Sequence, residues 1–337
     1  MKILDKFLTL WIFLAIFAGL VLGNIFPNII SFWALFEYKN LNLLLCFCLI
    51  LMMYPPLAKV DYSKIFEFFK FKNKKVLFLS LFLNWIFAPI LMFILALIFL
   101  YDEREYFVGV VIIGLARCVA MVVVWSDLAK ADRELTAFLV ALNSIFQILC
   151  FSSLAYLFLT LIPKFLGFDF VELDISIVSL SQNVFIFLGI PFILGFLSRF
   201  LIQLKGKAWY EDDFLPKISP ITLITLLFTI VMMCSYRANS IFSLPLVVLK
   251  ISLPLIAYFV LMFFISWFLS KRNHFSYPQT CSVCFSASGN NFELAIAICI
   301  ASFGIHSNEA FASIIGPLIE VPVLILLVKW ALARFKV

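Results

Sequence analysis

The chain has 337 residues, of which 65% are hydrophobic and 13% charged, far from the roughly half-apolar, quarter-charged balance of soluble domains. That composition excludes an ordinary soluble domain and makes a bilayer the solvent of a polytopic helical protein. The net charge of +6 does not point to nucleic acid, because the lysines gather between apolar runs, as they do in the cytoplasmic loops of membrane proteins.

A helix needs about 20 apolar residues to cross the hydrocarbon core. On that rule ten spans are predicted, over residues 7–25, 41–58, 76–100, 106–126, 135–162, 181–203, 216–235, 243–269, 281–303 and 309–333. The first follows Lys2 and Lys6 as a secretory signal would, but it lacks a small-x-small cleavage site and more spans follow it.

Orientation comes from the basic residues. With the N-terminus inside, 19 of the 25 lysines and arginines fall in cytoplasmic segments, among them Lys59, Lys64, Lys70, Lys72, Lys74, Lys75, Arg199, Lys205, Lys207, Lys217, Lys271, Arg272 and Lys336. Lys39, Arg104, Lys164 and Arg237 fall outside, where Asp102, Glu103, Glu105, Asp169, Glu172 and Asp174 also lie. Both termini are therefore expected in the cytoplasm of a protein in the plasma membrane. No loop is long enough for a soluble domain.

Ten spans divide into halves of five, residues 1–162 and 163–337, and an odd number per half inverts one half against the other, as in many secondary transporters. The fold expected is an all-α membrane protein of two inverted five-helix repeats. Its fourth and ninth spans should be broken helices that cross. Span four carries Arg117 and Cys118, and span nine carries Glu293. Cys118 and Glu293 each lie 12 residues into their span by position, or about 18 Å at 1.5 Å per residue. Entering from opposite faces, the two should meet near the midplane, where alternating-access carriers hold substrate.

Both spans contain residues that weaken a helix. Gly114 precedes Arg117, although taken alone it reads first as a site of close helix packing. Ser286-Ala287-Ser288-Gly289-Asn290-Asn291 precedes Glu293 and suits an interrupted helix whose freed backbone groups line a cavity.

A charge inside the bilayer must face a partner or a wet cavity, so Glu293 is either the structural partner of Arg117 or a proton site. Burial and a nearby guanidinium act on a carboxyl in opposite senses, and alternation between the two would let it load and release a proton. Glu320, between Pro317 and Pro322 in span ten, is the other candidate for either role. Cys118 alone would read as a small packed hydrophobe, but an adjacent guanidinium favours the thiolate, the form that acts as nucleophile or soft ligand.

Asn143 and Gln147 share one face of span five and could join helices or line the cavity. Lys250 can snorkel to the interface and is given no function.

Eight cysteines lie within spans or at their edges and define no disulfide framework. Cys281 and Cys284 form a C-x-x-C with no second pair at zinc spacing. His274 and His306 fall in opposite loops, and no metalloprotease, nucleophile-elbow or phosphate-loop motif occurs. No cofactor is expected.

Long motifs closely resemble the arsenite efflux permeases of the arsenical resistance type 3 family, within the bile/arsenite/riboflavin transporter superfamily. They run from Gly114 through Arg117-Cys118 and Trp125-Ser126-Asp127 to Lys130, then Asp132-Arg133-Glu134, and Val140 to Gln147. They continue through Asn290-Asn291-Phe292-Glu293 to Ala297, Phe303-Gly304-Ile305, Glu309-Ala310-Phe311-Ala312, and Ile315-Gly316-Pro317 through Glu320-Val321-Pro322 to Val323.

The resemblance implies efflux of arsenite, in some members also antimonite, in exchange for protons, with Cys118 and Glu293 as the essential pair. Cys118 would be the arsenic(III) ligand and Glu293 the proton-coupling group. Arg117, Asn290, Asn291, Glu320, Asn143, Gln147, Ser288 and Gly289 complete the expected substrate site. The partners expected are arsenite, protons and the bilayer.

Three other readings compete. A sodium-coupled organic-anion carrier of the bile acid type would depend on sodium and survive loss of the thiol. A membrane thiol enzyme would need a general base near Cys118, and no histidine lies at that depth. A passive channel would need no titratable centre.

Overall fold

The computed structural model describes residues 8–26, 28–38, 41–60, 74–167, 176–202, 206–236, 238 and 245–335. Of the charges used above for orientation, Lys2, Lys6, Lys39, Lys64, Lys70, Lys72, Asp169, Glu172, Asp174, Lys205, Arg237 and Lys336 lie outside those residues.

The described chain is almost entirely helical. Helix α1 covers Leu8–Ile25 and α2 Asn28–Ala34. A two-residue antiparallel pair follows, β1 at Glu37–Tyr38 and β2 at Leu41–Asn42. Then come α3 (Leu43–Lys59), α4 (Lys74–Leu100), α5 (Arg104–Leu115), α6 (Met121–Leu128) and α7 (Arg133–Phe165). The remainder is α8 (Ile177–Leu201), α9 (Lys207–Tyr236), α10 (Pro245–Arg272), α11 (Tyr277–Ser288), α12 (Phe292–Phe303) and α13 (Asn308–Phe335).

Six of these, α4, α7, α8, α9, α10 and α13, are long and apolar enough to cross a membrane unaided, and a seventh crossing results if α1 and α2, bent by 105°, are counted together. The other predicted spans take different forms. The second is the 17-residue α3, and the fourth and ninth are each split in two, α5 with α6 and α11 with α12. Pro317 and Pro322 do not interrupt α13, which runs unbroken through both.

Local chemistry sets the boundaries. The side chain of Asn42 accepts the Leu45 N–H at 3.0 Å to start α3, and Asp132 does the same for Leu135 at the start of α7, each satisfying one of the orphan donors of a helix N-terminus. Gln279 reaches back to accept the Ser276 N–H at 3.2 Å, with Pro278 in the first turn of α11. Gly304, at φ +92°, ends α12 in a conformation that side chains other than hydrogen disfavour.

Two layers result. In one, α9 packs on α1 and α3, and α3 packs on α8. Gly19 and Gly23 make the α1–α9 contact possible, since a methyl group at Gly23 would lie 2.3 Å from the Ser235 carbonyl oxygen and one at Gly19 2.6 Å from that of Val231. This is the small-xxx-small spacing of close helix pairs in membranes.

In the other layer, α4, α5, α10, α11, α12 and α13 pack together. At its centre residues 106–119 and 280–300 are buried without exception. Having no lipid face, α11 can afford its Thr280, Cys281, Ser282, Cys284, Ser286 and Ser288.

Candidate functional site

The site begins with two helices that stop inside the protein, at residues that are fully buried. Helix α5 ends at Leu115, after which Ala116 is extended at φ −83°, ψ 114°. Helix α11 ends at Ser288, and Gly289 is likewise extended at φ −76°, ψ 148°. Each break strands backbone groups that lipid could not satisfy.

The two breaks satisfy each other. Arg117 and Asn290 form an antiparallel bridge, and the Asn291 N–H donates to the Ala116 carbonyl at 3.0 Å. The Asn290 side-chain amide donates to the Ile113 carbonyl at 2.6 Å and, more weakly, to that of Ala116 at 3.3 Å. Gln147 reaches across from α7, its carbonyl accepting the Arg117 N–H. The crossing is thus a small piece of sheet buried between four helix ends.

Helix α6 restarts next to the sulfur of Cys118, which accepts the Val122 N–H at 3.1 Å. The thiol therefore sits at the positive end of a helix, where electron-rich atoms are favoured. Gly289 lies against it, and a methyl group there would come within 3.0 Å of Cys118 Cβ and 3.4 Å of Sγ. That close approach explains a glycine at this position.

Helix α12 restarts on Asn291, whose side chain accepts the Leu294 N–H at 3.0 Å and donates to Met53 Sδ at 3.8 Å in the other layer. Glu293 follows in its first turn and is buried. Glu320, on α13, is also buried and lies beside the Asn290 backbone amide.

Arg117 is wholly buried and faces Tyr258 on α10, donating from Nη1 to the phenol oxygen at 2.7 Å. The phenol in turn donates to the Ala287 carbonyl at 3.3 Å. The guanidinium Nε and Nη2 have no hydrogen-bond partner, and neither do Glu320 Oε1, Asn290 Oδ1 and Gln147 Nε2. Among the described residues no carboxylate lies within 4.0 Å of Arg117, so the ion pair with Glu293 weighed from sequence is not formed in this structure. The neighbour of the guanidinium is a phenol rather than the adjacent thiol.

The remaining sequence-predicted residues fall around this crossing with distinct contacts. Asn143 accepts from Trp85 Nε1 at 3.2 Å and donates to Ser286 Oγ at 3.2 Å, so it joins α4, α7 and α11. Ser288 turns its hydroxyl onto its own helix, donating to the Cys284 carbonyl at 2.7 Å. Tyr258, Trp85 and Met53 were missed, since an aromatic or methionine in an apolar span reads as packing.

Lys250 pairs with Glu103 at 3.0 Å on the surface. Cys281 and Cys284 are buried free thiols, Cys299 accepts from Ser313 Oγ at 3.2 Å, and among the described residues no three His, Cys, Asp or Glu side chains gather in a way that could hold a metal.

Comparison with known proteins agrees with the motifs. Residues 46–244 match the Sodium Bile acid symporter family. The chain is 47% identical to the Arsenical-resistance protein Acr3 of Corynebacterium glutamicum over 96% of its own length and 88% of the relative's. It is 31% identical to the Arsenical-resistance protein Acr3 of Alkaliphilus metalliredigens, over 96% and 91% of the two chains. An uncharacterized transporter of Synechocystis sp. is 29% identical over 98% of this chain and 88% of its own. A family match over more than half the chain, together with relatives aligned end to end, means that this protein belongs to the Sodium Bile acid symporter family and, within it, to the Acr3 arsenical-resistance group.

Proposed function

We propose that the protein exports trivalent arsenic as arsenite across the plasma membrane in exchange for protons, and that antimonite can take the same route. The observation that carries this reading is a single thiol, Cys118, set at a helix N-terminus in a buried crossing, with Glu293 buried in the first turn of the helix that leaves the crossing and Glu320 buried on α13. Trivalent arsenic is thiophilic, and its hydroxyls can bond to amides and carboxyls such as those of Asn290, Asn291, Glu293 and Glu320.

The chain completes ten crossings with both termini in the cytoplasm, as two inverted halves, 1–162 and 163–337. Support comes from the positions of the two broken spans, each fourth in its half, and from the layers. The first two spans of each half (α1, α3, α8 and α9) form one layer, and the last three of each half form the other.

In the mechanism, arsenite enters from the cytoplasm. The thiol replaces one hydroxyl of arsenite, which leaves as water with the thiol proton, and Glu293 gives up a proton as the cargo binds. One layer then rocks against the other and opens the site outward. Return of water to arsenic restores the thiol and frees arsenite, and Glu293 takes up a proton for the return. One thiolate permits release, where three would hold the cargo too long. Arg117 offsets the charge of the two carboxyls, Gly289 keeps the space beside the sulfur, and Asn143, Gln147 and Ser288 hold the broken helices in place.

The test is arsenite accumulation in cells stripped of other arsenite efflux systems. Expression of the protein should lower accumulation, Cys118→Ala and Glu293→Gln should each abolish that effect, and a protonophore should stop extrusion. Extrusion that follows sodium and survives Cys118→Ala would instead make the protein a sodium-coupled carrier, in keeping with its family's name.

A further inference from the structure

At the end of the molecule where α10 and α13 finish, aromatic rings and cations are interleaved in a way the transport site does not use. Trp267 and Trp330 meet edge to face at 5.0 Å, Trp267 touches Tyr277 at 6.0 Å, and Tyr277 touches Phe335 at 4.7 Å. A cation lies over three of these rings. Lys271 Nζ is 5.5 Å from the centre of Trp267, Arg334 Cζ is 5.0 Å from that of Trp330, and Lys130 Nζ is 5.1 Å from that of Phe335. Such placement fixes the heads of long side chains.

All three cations are exposed, and among the described residues none has a carboxylate within 4.0 Å. No Asp or Glu occurs between Arg272 and Glu293 or after Glu320. The acids near Lys130 are engaged elsewhere, Asp127 with Arg133 at 2.7 Å and Asp132 with the Leu135 N–H at 3.0 Å.

The helix faces leading to this cluster are graded. Positions four apart on one side of α13 read Leu326, Trp330, Arg334, and along α10 Phe264, Phe268 and Lys271 follow at helical spacing. Leu326 is 63% exposed and Phe268 62%, and Phe264 packs on Trp330 at 4.9 Å. Two adjoining helices thus pass from exposed hydrocarbon, through amphipathic indoles, to unpaired cations. This is the sequence of a phospholipid from acyl chain to glycerol to phosphate.

We propose that this face is a binding site for an anionic phospholipid, its chains along Leu326, Phe264 and Phe268 and its phosphate between Lys271, Arg334 and Lys130. The site belongs to the cytoplasmic leaflet, an assignment that rests on the orientation given above.

The test uses the full chain purified in neutral detergent, with phosphatidylglycerol, phosphatidylcholine or inorganic phosphate titrated in. Lipid retention is followed by native mass spectrometry and stability by the unfolding midpoint. Phosphatidylglycerol should be retained and raise the midpoint to a plateau, and the other two should not. Each of Lys130→Gln, Lys271→Gln and Arg334→Gln should weaken apparent affinity about fivefold, and the three together on the order of a hundredfold. Lys74→Gln with Lys75→Gln, which removes two cations elsewhere, should leave it unchanged. The proposal is overturned if the triple variant retains phosphatidylglycerol as before, if phosphatidylcholine or inorganic phosphate acts equally, or if the Lys74, Lys75 variant loses as much. The triple variant must keep the wild-type midpoint in phosphatidylcholine; if it does not, Lys271→Glu alone is compared by lipid retention, and unchanged retention overturns the site. The leaflet is read separately, with an impermeant amine reagent on Lys271. Labelling in inverted vesicles places the site in the cytoplasmic leaflet, and labelling in right-side-out vesicles overturns that leaflet without touching the lipid binding.

Discussion

Arg117 brings a full positive charge to the centre of the crossing, where one side chain, Tyr258, holds it at 2.7 Å. Hydrogen bonds to charged groups contribute about 1.5–3 kcal/mol, so Tyr258→Phe should lower stability by roughly that amount, read as a drop in the unfolding midpoint. An unchanged midpoint would mean that the guanidinium finds another partner. Gly289→Ala tests the space beside the thiol. Its added methyl group lies 3.0 Å from Cys118 Cβ, so arsenite flux should fall several-fold while the unfolding midpoint changes little, and full flux would remove the steric argument. Arg117, Glu293 and Glu320 were legible as candidates because each breaks an apolar run, and Cys118 drew attention only through the arginine beside it. Tyr258 was not, since a phenol in a span reads as bulk until its oxygen is seen to meet a charge. Ser288 was legible as polar, but its hydroxyl closes on its own helix, which sequence spacing does not reveal.

The elements are held by close backbone approaches at a few glycines. A methyl group at Gly316 would lie 1.7 Å from the Phe292 ring, so Gly316→Ala should destabilise by about 1–3 kcal/mol through overpacking. Phe292→Leu should recover part of that loss, and thermal unfolding of the two single variants and the double variant measures the coupling. Simple additivity would show that the ring is not the obstacle. Gly23→Leu should likewise part α1 from α9 and lower the midpoint, because its side chain would occupy the space of the Ser235 carbonyl. The apolar runs and the break before Glu293 were readable from sequence in 20-residue hydrophobic stretches and a Ser-Gly-Asn-Asn tract, whereas Gly114, the signal in span four, packs against Met92, where a methyl group would lie 2.3 Å away. The pairing of the breaks was not readable. The carbonyl freed at Ala116 finds its partner in the N–H of Asn291, far along the chain, and no local signal encodes that distance.

Across the whole molecule, the two layers meet where α8 packs on α7 and α12, and among their contacts are Asn183 with Ser302 at 3.2 Å, Met53 with Asn291 at 3.8 Å, and the rings of Tyr236 and His306 at 5.5 Å. Rocking requires those contacts to open. Asn183→Cys with Ser302→Cys should therefore block flux when oxidised to a disulfide and regain it on reduction, with the wild-type protein unaffected by the same oxidant; flux that persists through the cross-link would exclude movement at that point. Hydropathy anticipated a succession of apolar helices, six of them long enough to span unaided, but not this division, which sets α1, α3, α8 and α9 apart from the helices between them. The most direct test of the account is arsenite flux in proteoliposomes under an imposed proton gradient, comparing the wild-type protein with Cys118→Ala and Glu293→Gln. The wild-type protein should move arsenite against the direction of proton flow, and both variants should fall to the level of empty vesicles while keeping the wild-type unfolding midpoint. Gradient-driven arsenite flux persisting in both variants would contradict it.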